Sequence, residues 1–279
     1  METGFPQADA EADFLRIRRR QVLSRLAAWL RHEPDDVSEI LPFDEVVAAL
    51  GRTGERRLPG VQVVPLDTIV GSVDRAADFD RWFRPRSHRS RERWERLARA
   101  RRRGETVPPV DLYRIGGLHF VRDGHHRVSV ALALGLRTID ALVTEVTTRV
   151  DTDGIVRRGD LITKDLRRVF LDRVPLTRAQ LGFVEIADPW NYAELSETVE
   201  AWGFRLMQSE GRFLDRATVA QRWWGEEYEP VVHLLREADL IGRRTETEAY
   251  LTLACRRYRL LRTHRWDDEV VETLRAHPS

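Results

Sequence analysis

The chain has one cysteine, Cys255, in 279 residues. No internal disulfide can form, and there is no set of thiols to hold a zinc or iron–sulfur centre. A buried core thiol is the expected state of that sulfur. Lysine is equally scarce: Lys164 is the only one, so every other side-chain ammonium or guanidinium is an arginine. Net charge is nearly absent, with 46 basic and 45 acidic residues giving +1, so only a local patch could argue for nucleic acid. No window approaches the roughly 18 apolar residues that a membrane span needs. Met1 to Asp13 carries Glu2, Asp9, Glu11 and Asp13 and no apolar run. Neither a secretory signal nor a mitochondrial presequence is expected, and the reading is a cytoplasmic protein with no membrane partner. Walker-type phosphate loops and Gly-x-Ser-x-Gly elbows are missing, and no nucleophile–base pair is visible. His88, His119, His125 and His126 follow no common zinc spacing, so no metal-ligand set is expected.

The balance is otherwise that of a globular chain, 42% apolar and 33% charged, of a length suited to about two domains. Residues 1–60 read as a helical segment. Val22, Leu23, Leu26, Trp29 and Leu30 form an apolar stripe between Glu11 and His32, and Asp35 to Ser38 breaks it. A short helix over Phe43–Leu50 stops at Gly51, and Gly51 to Gly60 reads as a linker. Residues 61–150 alternate between types. A strand from Val61 to Pro65 precedes a helical segment over Ala76–Phe83 and a charged helix from Ser90 to Arg103. Val110–Ile115 and Leu118–Val121 flank Gly116-Gly117 as a hairpin, and a turn at Asp123 to Arg127 enters an apolar helix stopped by Gly135. Ile139–Val146 is the last strand. Residues 151–279 are mostly helical, over Trp190–Met207, Arg216–Leu240 (with a break near Gly225) and Thr247–Thr263, and Thr245 to Glu248 is a capping-box sequence. Trp190, Trp202, Trp223, Trp224, Tyr228 and Trp266 read as core rather than a ligand cage, and Asp267 to Glu269 as complement to a helix N-terminus. The fold class is therefore α/β (α+β), a small mixed sheet between a helical N-terminal segment and a helical C-terminal domain.

The strongest local signal is strand–Gly124-His125-His126-Arg127–helix. A helix N-terminus presents unpaired N–H groups and partial positive charge, which suits phosphate. Gly124 permits close approach or a positive φ, Arg127 offers a fork of donors, and His125 and His126 add nitrogens that titrate near neutrality. The alternative is a tight turn whose arginine pairs with Asp123.

Val121 to Leu132, followed by Leu134-Gly135 and Ile139 to Val143, resembles the second half of a ParB/sulfiredoxin-like domain. Val64 to Ile69 resembles that domain's opening strand and turn, and Val107 to Leu112 the segment leading into its hairpin. Together they cover about a third of the chain. The resemblance implies a nucleotide or phosphate site: ParB proteins bind CTP and cooperate with DNA, sulfiredoxins use ATP, and archaeal relatives phosphorylate free serine. Carried over by position, Gly124, His125, His126 and Arg127 would hold phosphates of ATP or CTP, with His125 or Asp123 as acid or base. Mg2+ would arrive with the nucleotide and touch Asp123 or Asp67. Where ParB proteins carry an arginine-containing motif, Gly71 to Arg75 and Phe79 to Arg86 stand here and offer Ser72, Arg75 or Arg84. Sulfiredoxin chemistry needs a cysteine directly after the glycine, and that position is His125, so sulfinic-acid repair is not expected. Trp223 to Val232 and Arg244 to Leu251 resemble an uncharacterised helical region that follows similar modules, which supplies no activity.

Ten arginines and two glutamates fall in Arg84–Arg103. Such a segment can line DNA, with Trp94 stacking, or be a solvated helix paired with acidic neighbours. The expected function is nucleotide binding with NTPase or phosphotransfer activity. A DNA-associated, partition-like regulator without turnover and an interaction scaffold are the alternatives. The sequence does not choose an oligomeric state, homodimer included.

Overall fold

A computed structural model describes residues 6–32 and 39–261. The expected break at Asp35–Ser38 and the acidic cluster at Asp267–Glu269, with Trp266, lie outside them. The chain divides into two compact units, 1–164 and 165–279.

The first unit is α/β. Its elements are α1 (Pro6–Leu30), β1 (Leu41–Pro42), α2 (Phe43–Leu50), β2 (Arg52–Arg57), β3 (Gln62–Pro65), β4 (Ile69–Ser72), α3 (Arg91–Arg102), β5 (Val110–Ile115), β6 (Leu118–Asp123), α4 (His125–Ala133) and β7 (Thr138–Thr148). The strands form one seven-stranded mixed sheet in the order β1-β4-β6-β5-β7-β2, with β3 also paired to β7. β5 and β6 make the hairpin expected at Gly116-Gly117. β4 lies parallel to β6 with Ser72 opposite Val121, so the end of β4 reaches the end of β6, where the Gly124 turn begins. α4 packs on the sheet through Val128 and Ala131, against Val110, Leu112, Val121 and Val143. A second core joins α1 to α3 and α4, through Phe14, Trp94, Ala98 and Val130.

Three local expectations are corrected. Gly51 to Gly60 is not simply a linker, because β2 occupies 52–57 and pairs antiparallel with β7. Nearly all of β2 is exposed, so it lacks the apolar alternation that marks a half-buried strand. Polar cross-strand pairs hold it instead, Thr53 to Thr147 and Arg56 to Glu145. Ala76 to Phe83 is a series of turns, not a helix. The Asp80 carboxylate accepts the backbone N–H groups of Trp82 and Arg84 at 3.0 Å and pairs with the Arg84 guanidinium at 2.7 Å. An aspartate that captures local amides in this way competes with the helical ladder. α1 buries Ala10, Phe14, Ile17 and Gln21, while Val22, Leu23, Leu26 and Leu30 are more than half exposed.

The second unit is helical and contains most of α5 (Leu161–Arg173), then α6 (Arg178–Leu181), α7 (Asn191–Glu210), α8 (Arg216–Trp223), α9 (Glu229–Glu237) and α10 (Glu246–Leu261). A π turn over Trp224–Tyr228, not a full stop at Gly225, separates α8 from α9. The capping box is present: Thr245 N–H donates to Glu248, and Glu248 N–H to the Thr245 hydroxyl. Trp223, Tyr228 and Tyr250 form the core, with Trp223 Nε1 donating to the Tyr250 hydroxyl at 3.0 Å. Trp190 is 68% exposed and is not part of it. Among the described residues, no helix is long and apolar enough to cross a membrane.

Candidate functional site

Gly124 stands between β6 and α4 with φ 101° and ψ 22°, a left-handed conformation that glycine adopts without the steric cost of a Cβ. A Cβ here would lie 2.6 Å from Val110 Cγ1 and 2.9 Å from Arg127 Nε. The glycine is therefore required twice, by its dihedral angle and by its neighbours. It starts a nine-residue helix whose first turn is His125-His126-Arg127.

His125 and His126 are both buried. His125 Nε2 lies 2.7 Å from Ser72 Oγ. That oxygen already accepts the Arg75 N–H at 2.9 Å, so its own proton is free to point at the imidazole. The ring of Phe79 stacks on His125 at 5.8 Å and meets His126 edge-on at 5.3 Å. His126 Nδ1 is buried with no hydrogen-bond partner among the described residues. Burial first, then Arg75, push the His125 pKa down to about 4. Burial, then Arg93 and Arg75, do the same to His126. Both rings are neutral near pH 7. Ser72 and His125 form a hydroxyl–imidazole contact that the sequence does not pair. The two residues are 53 apart in the chain, and only the β4–β6 register joins them. Ser72 is fully buried, so its visible role is to fix the orientation of His125.

Arg127 turns back over Gly124. Its guanidinium donates to the carbonyls of Pro108 at 2.9 Å and Pro109 at 2.5 Å, and to Asp123 Oδ2 at 2.5 Å. The tight-turn alternative thus describes the contacts of this arginine: it clamps the Pro108-Pro109 segment to the helix start. Arg127→Ala is expected to lower stability by about 1–3 kcal/mol through carbonyls left without a donor. Urea unfolding checks this, and an unchanged midpoint would remove the clamp.

The free guanidiniums come from elsewhere. Trp94 and Ala98 are the buried residues of α3, and Trp94 Nε1 donates to Ser129 Oγ of α4 at 2.9 Å. Helical spacing then sets Arg93, Arg96 and Leu97 on the flank that faces the turn. With Arg75, Asp123, Gly124, His125, His126 and Arg127 they line a cleft of about 510 Å³. Arg93 and Arg96 have no hydrogen bond or ion pair among the described residues. Arg75 has only a long 4.0 Å pairing with Asp78. Other members of the basic run are taken up, Arg84 by Asp80, Arg91 by Glu95 and Arg102 by Asp13. The run is thus partly the paired helix and partly the wall of a cleft. The sequence counts Arg93 and Arg96 in the basic run without singling them out, because ten arginines in twenty positions hide which two face the turn. The spacing from Trp94, the apolar residue in that run most certain to be buried, was the available signal.

The cleft suits phosphate: the Arg93 and Arg96 guanidiniums, a helix N-terminus and a buried imidazole nitrogen converge on it, and its one carboxylate, Asp123, is taken up by Arg127. Its volume lies within the roughly 300–1,000 Å³ usual for small-molecule sites. Asp123 lines the cleft and is paired there with Arg127, whereas Asp67 lines a separate groove. No group of three or more potential metal ligands occurs among the described residues. Cys255 is on α10 in the second unit.

Burial also lowers the pKa of His119 to about 4, so three histidines are held neutral in the fold. The unfolded chain titrates them near 6.5 and binds more protons between that value and about 4. Their contribution to stability is complete above about pH 6.5 and is lost as pH falls toward 4. Urea midpoints measured at steps across this window are expected to fall with pH, and less so in a His126→Asn variant. Parallel curves for the two proteins would contradict the assignment.

No family model matches the chain, and neither does any curated protein sequence. Among solved structures it is similar to sulfiredoxin from Arabidopsis thaliana, with 24% identity over 32% of this chain and 89% of that one, at a TM-score of 0.26.

Proposed function

We propose that the chain binds a nucleotide, ATP or CTP, or another phosphate-bearing ligand in the cleft at Gly124. Turnover would be NTP hydrolysis or phosphotransfer. The observation that carries this reading is the pair Arg93 and Arg96, unpaired and set beside the N-terminus of α4 and the buried His126 Nδ1. Arg75, Arg93 and Arg96 would take phosphate oxygens, with the first amides of α4. Gly124 would supply the left-handed turn that aims those amides at the cleft. Arg127 would act by holding the turn and Pro108-Pro109 in place. His125, oriented by Ser72, and Asp123 are the acid–base candidates. A neutral imidazole with a low pKa accepts a proton only weakly until phosphate charge beside it raises that pKa. A nucleotide would bring the phosphoanhydride that is cleaved, and Mg2+ its charge neutralisation.

A thermal-shift panel of ATP, ADP, CTP, GTP and inorganic phosphate, each with and without Mg2+, tests the reading. A ligand of the native state raises the melting temperature by mass action, about 2.7 kcal/mol at a hundredfold excess over Kd. A clear shift for a phosphate ligand is expected, and none across the panel would sink the proposal.

The DNA-associated reading retains one supporting observation: Arg89, Arg99 and Arg101 also lack ion pairs among the described residues. It requires duplex binding whose affinity falls steeply with salt. Binding that ignores salt, or none, would remove it.

A further inference from the structure

α1 carries a second face that the fold does not use. Ala10, Phe14, Ile17 and Gln21 are buried, and they recur every three or four residues on one side of the helix. Leu15, Val22, Leu23, Leu26 and Leu30, each 51–62% exposed, lie on the opposite side. The exposed Ala8 and Ala12 continue this second face toward the N-terminus. Its centre line, Ala8, Ala12, Leu15, Arg19, Val22 and Leu26, alternates steps of four and three residues. That is the spacing of a coiled-coil seam, not the broader stripe of a helix laid on a core. A single long-stemmed cation in such a seam is a usual device for fixing register.

The charges beside the seam are segregated along the helix. Of the acidic residues of α1, Asp9 and Asp13 are buried on its own module and only Glu11 flanks the seam, while every charge from Arg16 onward is an arginine. Glu11 is half exposed and has only a 3.9 Å contact with Arg91, while Arg25 is exposed with no partner among the described residues. A parallel copy would set arginine half on arginine half. An antiparallel copy sets Glu11 on the basic end.

From the seam spacing and this charge polarity we infer that α1 is the dimerisation element of the protein, pairing antiparallel with α1 of a second copy. In the register that brings Glu11 against Arg25 of the partner subunit, Ala8 faces the partner's Leu26. Ala12 faces the partner's Val22, and Leu15 lies on the aliphatic stem of the partner's Arg19. Each large side chain meets a small one or a flexible stem, as packing between helices requires. The twofold axis repeats every contact, as an isologous interface must. Arg16 and Arg18 come near their own copies at the axis. Arg16 is paired with Asp13 at 3.2 Å, and Arg18 donates to the Pro85 carbonyl at 2.7 Å and to Gln21. The buried face of α1 stays on its own module, so pairing needs no rearrangement of the fold.

Sedimentation velocity on the full chain, from micromolar to several hundred micromolar, tests this. A concentration-dependent monomer–dimer equilibrium is expected. Leu26→Glu should weaken it by at least about tenfold, since a large apolar contact is exchanged for a charge. Leu26 is half exposed and belongs to neither core of the module, so circular dichroism and melting of the monomeric variant should change little. Glu11→Arg and Arg25→Glu should each weaken dimerisation, and the double swap should restore it, which a merely structural role for either residue would not produce. A monomer at every concentration, a dimer indifferent to Leu26→Glu, or a double swap without rescue would overturn the inference. So would a monomer that binds phosphatidylserine vesicles through Leu26, which would give the face to a membrane surface.

Discussion

Replacing Arg93 and Arg96 together by alanine is expected to weaken binding of the phosphate ligand by two orders of magnitude or more while leaving the fold intact. Hydrogen bonds to charged groups contribute about 1.5–3 kcal/mol each. Losing two guanidiniums therefore removes about 3–6 kcal/mol, roughly 10²–10⁴ in Kd. The fold should not respond, because neither side chain pairs with a carboxylate or a carbonyl. If anything, relief of like-charge repulsion with Arg75 should stabilise the empty protein slightly. Calorimetric titration of the nucleotide that gives the largest thermal shift measures the change. Equal affinity in the double variant would mean that the ligand does not sit in this cleft. The comparison with Arg127→Ala is informative, since that change is expected to cost stability first and affinity only as a consequence. The distinction between an arginine that binds and one that clamps is what the geometry adds to the Gly-His-His-Arg pattern.

The second large effect is on stability. Gly124→Ala imposes a left-handed conformation on a residue with a Cβ, which costs about 1–2 kcal/mol. It also drives that Cβ to 2.6 Å from Val110 Cγ1, in a core where Val110 is fully buried. Overpacking of this kind costs about 1–3 kcal/mol. The sum is about 2–5 kcal/mol, enough to lower the melting temperature by several degrees. Gly124→Asn separates the two causes, because asparagine tolerates the left-handed region yet keeps the Cβ. Destabilisation by both is expected. An asparagine variant as stable as the parent would mean that the dihedral angle alone matters and that Val110 yields.

How far the sequence was legible follows from how local each signal is. The Gly116-Gly117 hairpin, the turn into α4 and β7 were readable because apolar pattern and turn residues agree within a few positions. β4 was missed: Ile69 to Ser72 has little alternation, and it becomes a strand by pairing with β6, whose partners lie some fifty residues on. Residues 76–83 read as a helix on apolar spacing, while the amide capture by Asp80 leaves only a weak trace in sequence. In α1 the sequence reading takes Val22, Leu23, Leu26, Trp29 and Leu30 as the one stripe and leaves out Ala10, Phe14 and Ile17, which the fold buries. The helix has two, and only tertiary packing shows which of them meets the sheet-bearing module. The candidate site divides the same way. Gly124, His125, His126 and Arg127 are contiguous and were named together. Ser72 and Arg75 were suggested by resemblance, and the β4–β6 register brings them to the turn. Arg93 and Arg96 reach it through the docking of Trp94 on Ser129, a contact between helices that no local pattern encodes.

The most direct test of the central claim is a titration of the full chain, labelled with ¹⁵N at histidine, by the phosphate ligand selected in the thermal-shift panel. A ligand in the cleft is predicted to shift the imidazole signals of His125 and His126 and to raise their pKa values from about 4, since phosphate charge offsets Arg75 and Arg93. His119 is buried and lowered in the same way but is not among the residues lining the cleft, and it should stay where it is. Saturation with the ligand while His125 and His126 keep their signals and their pKa values would contradict the account.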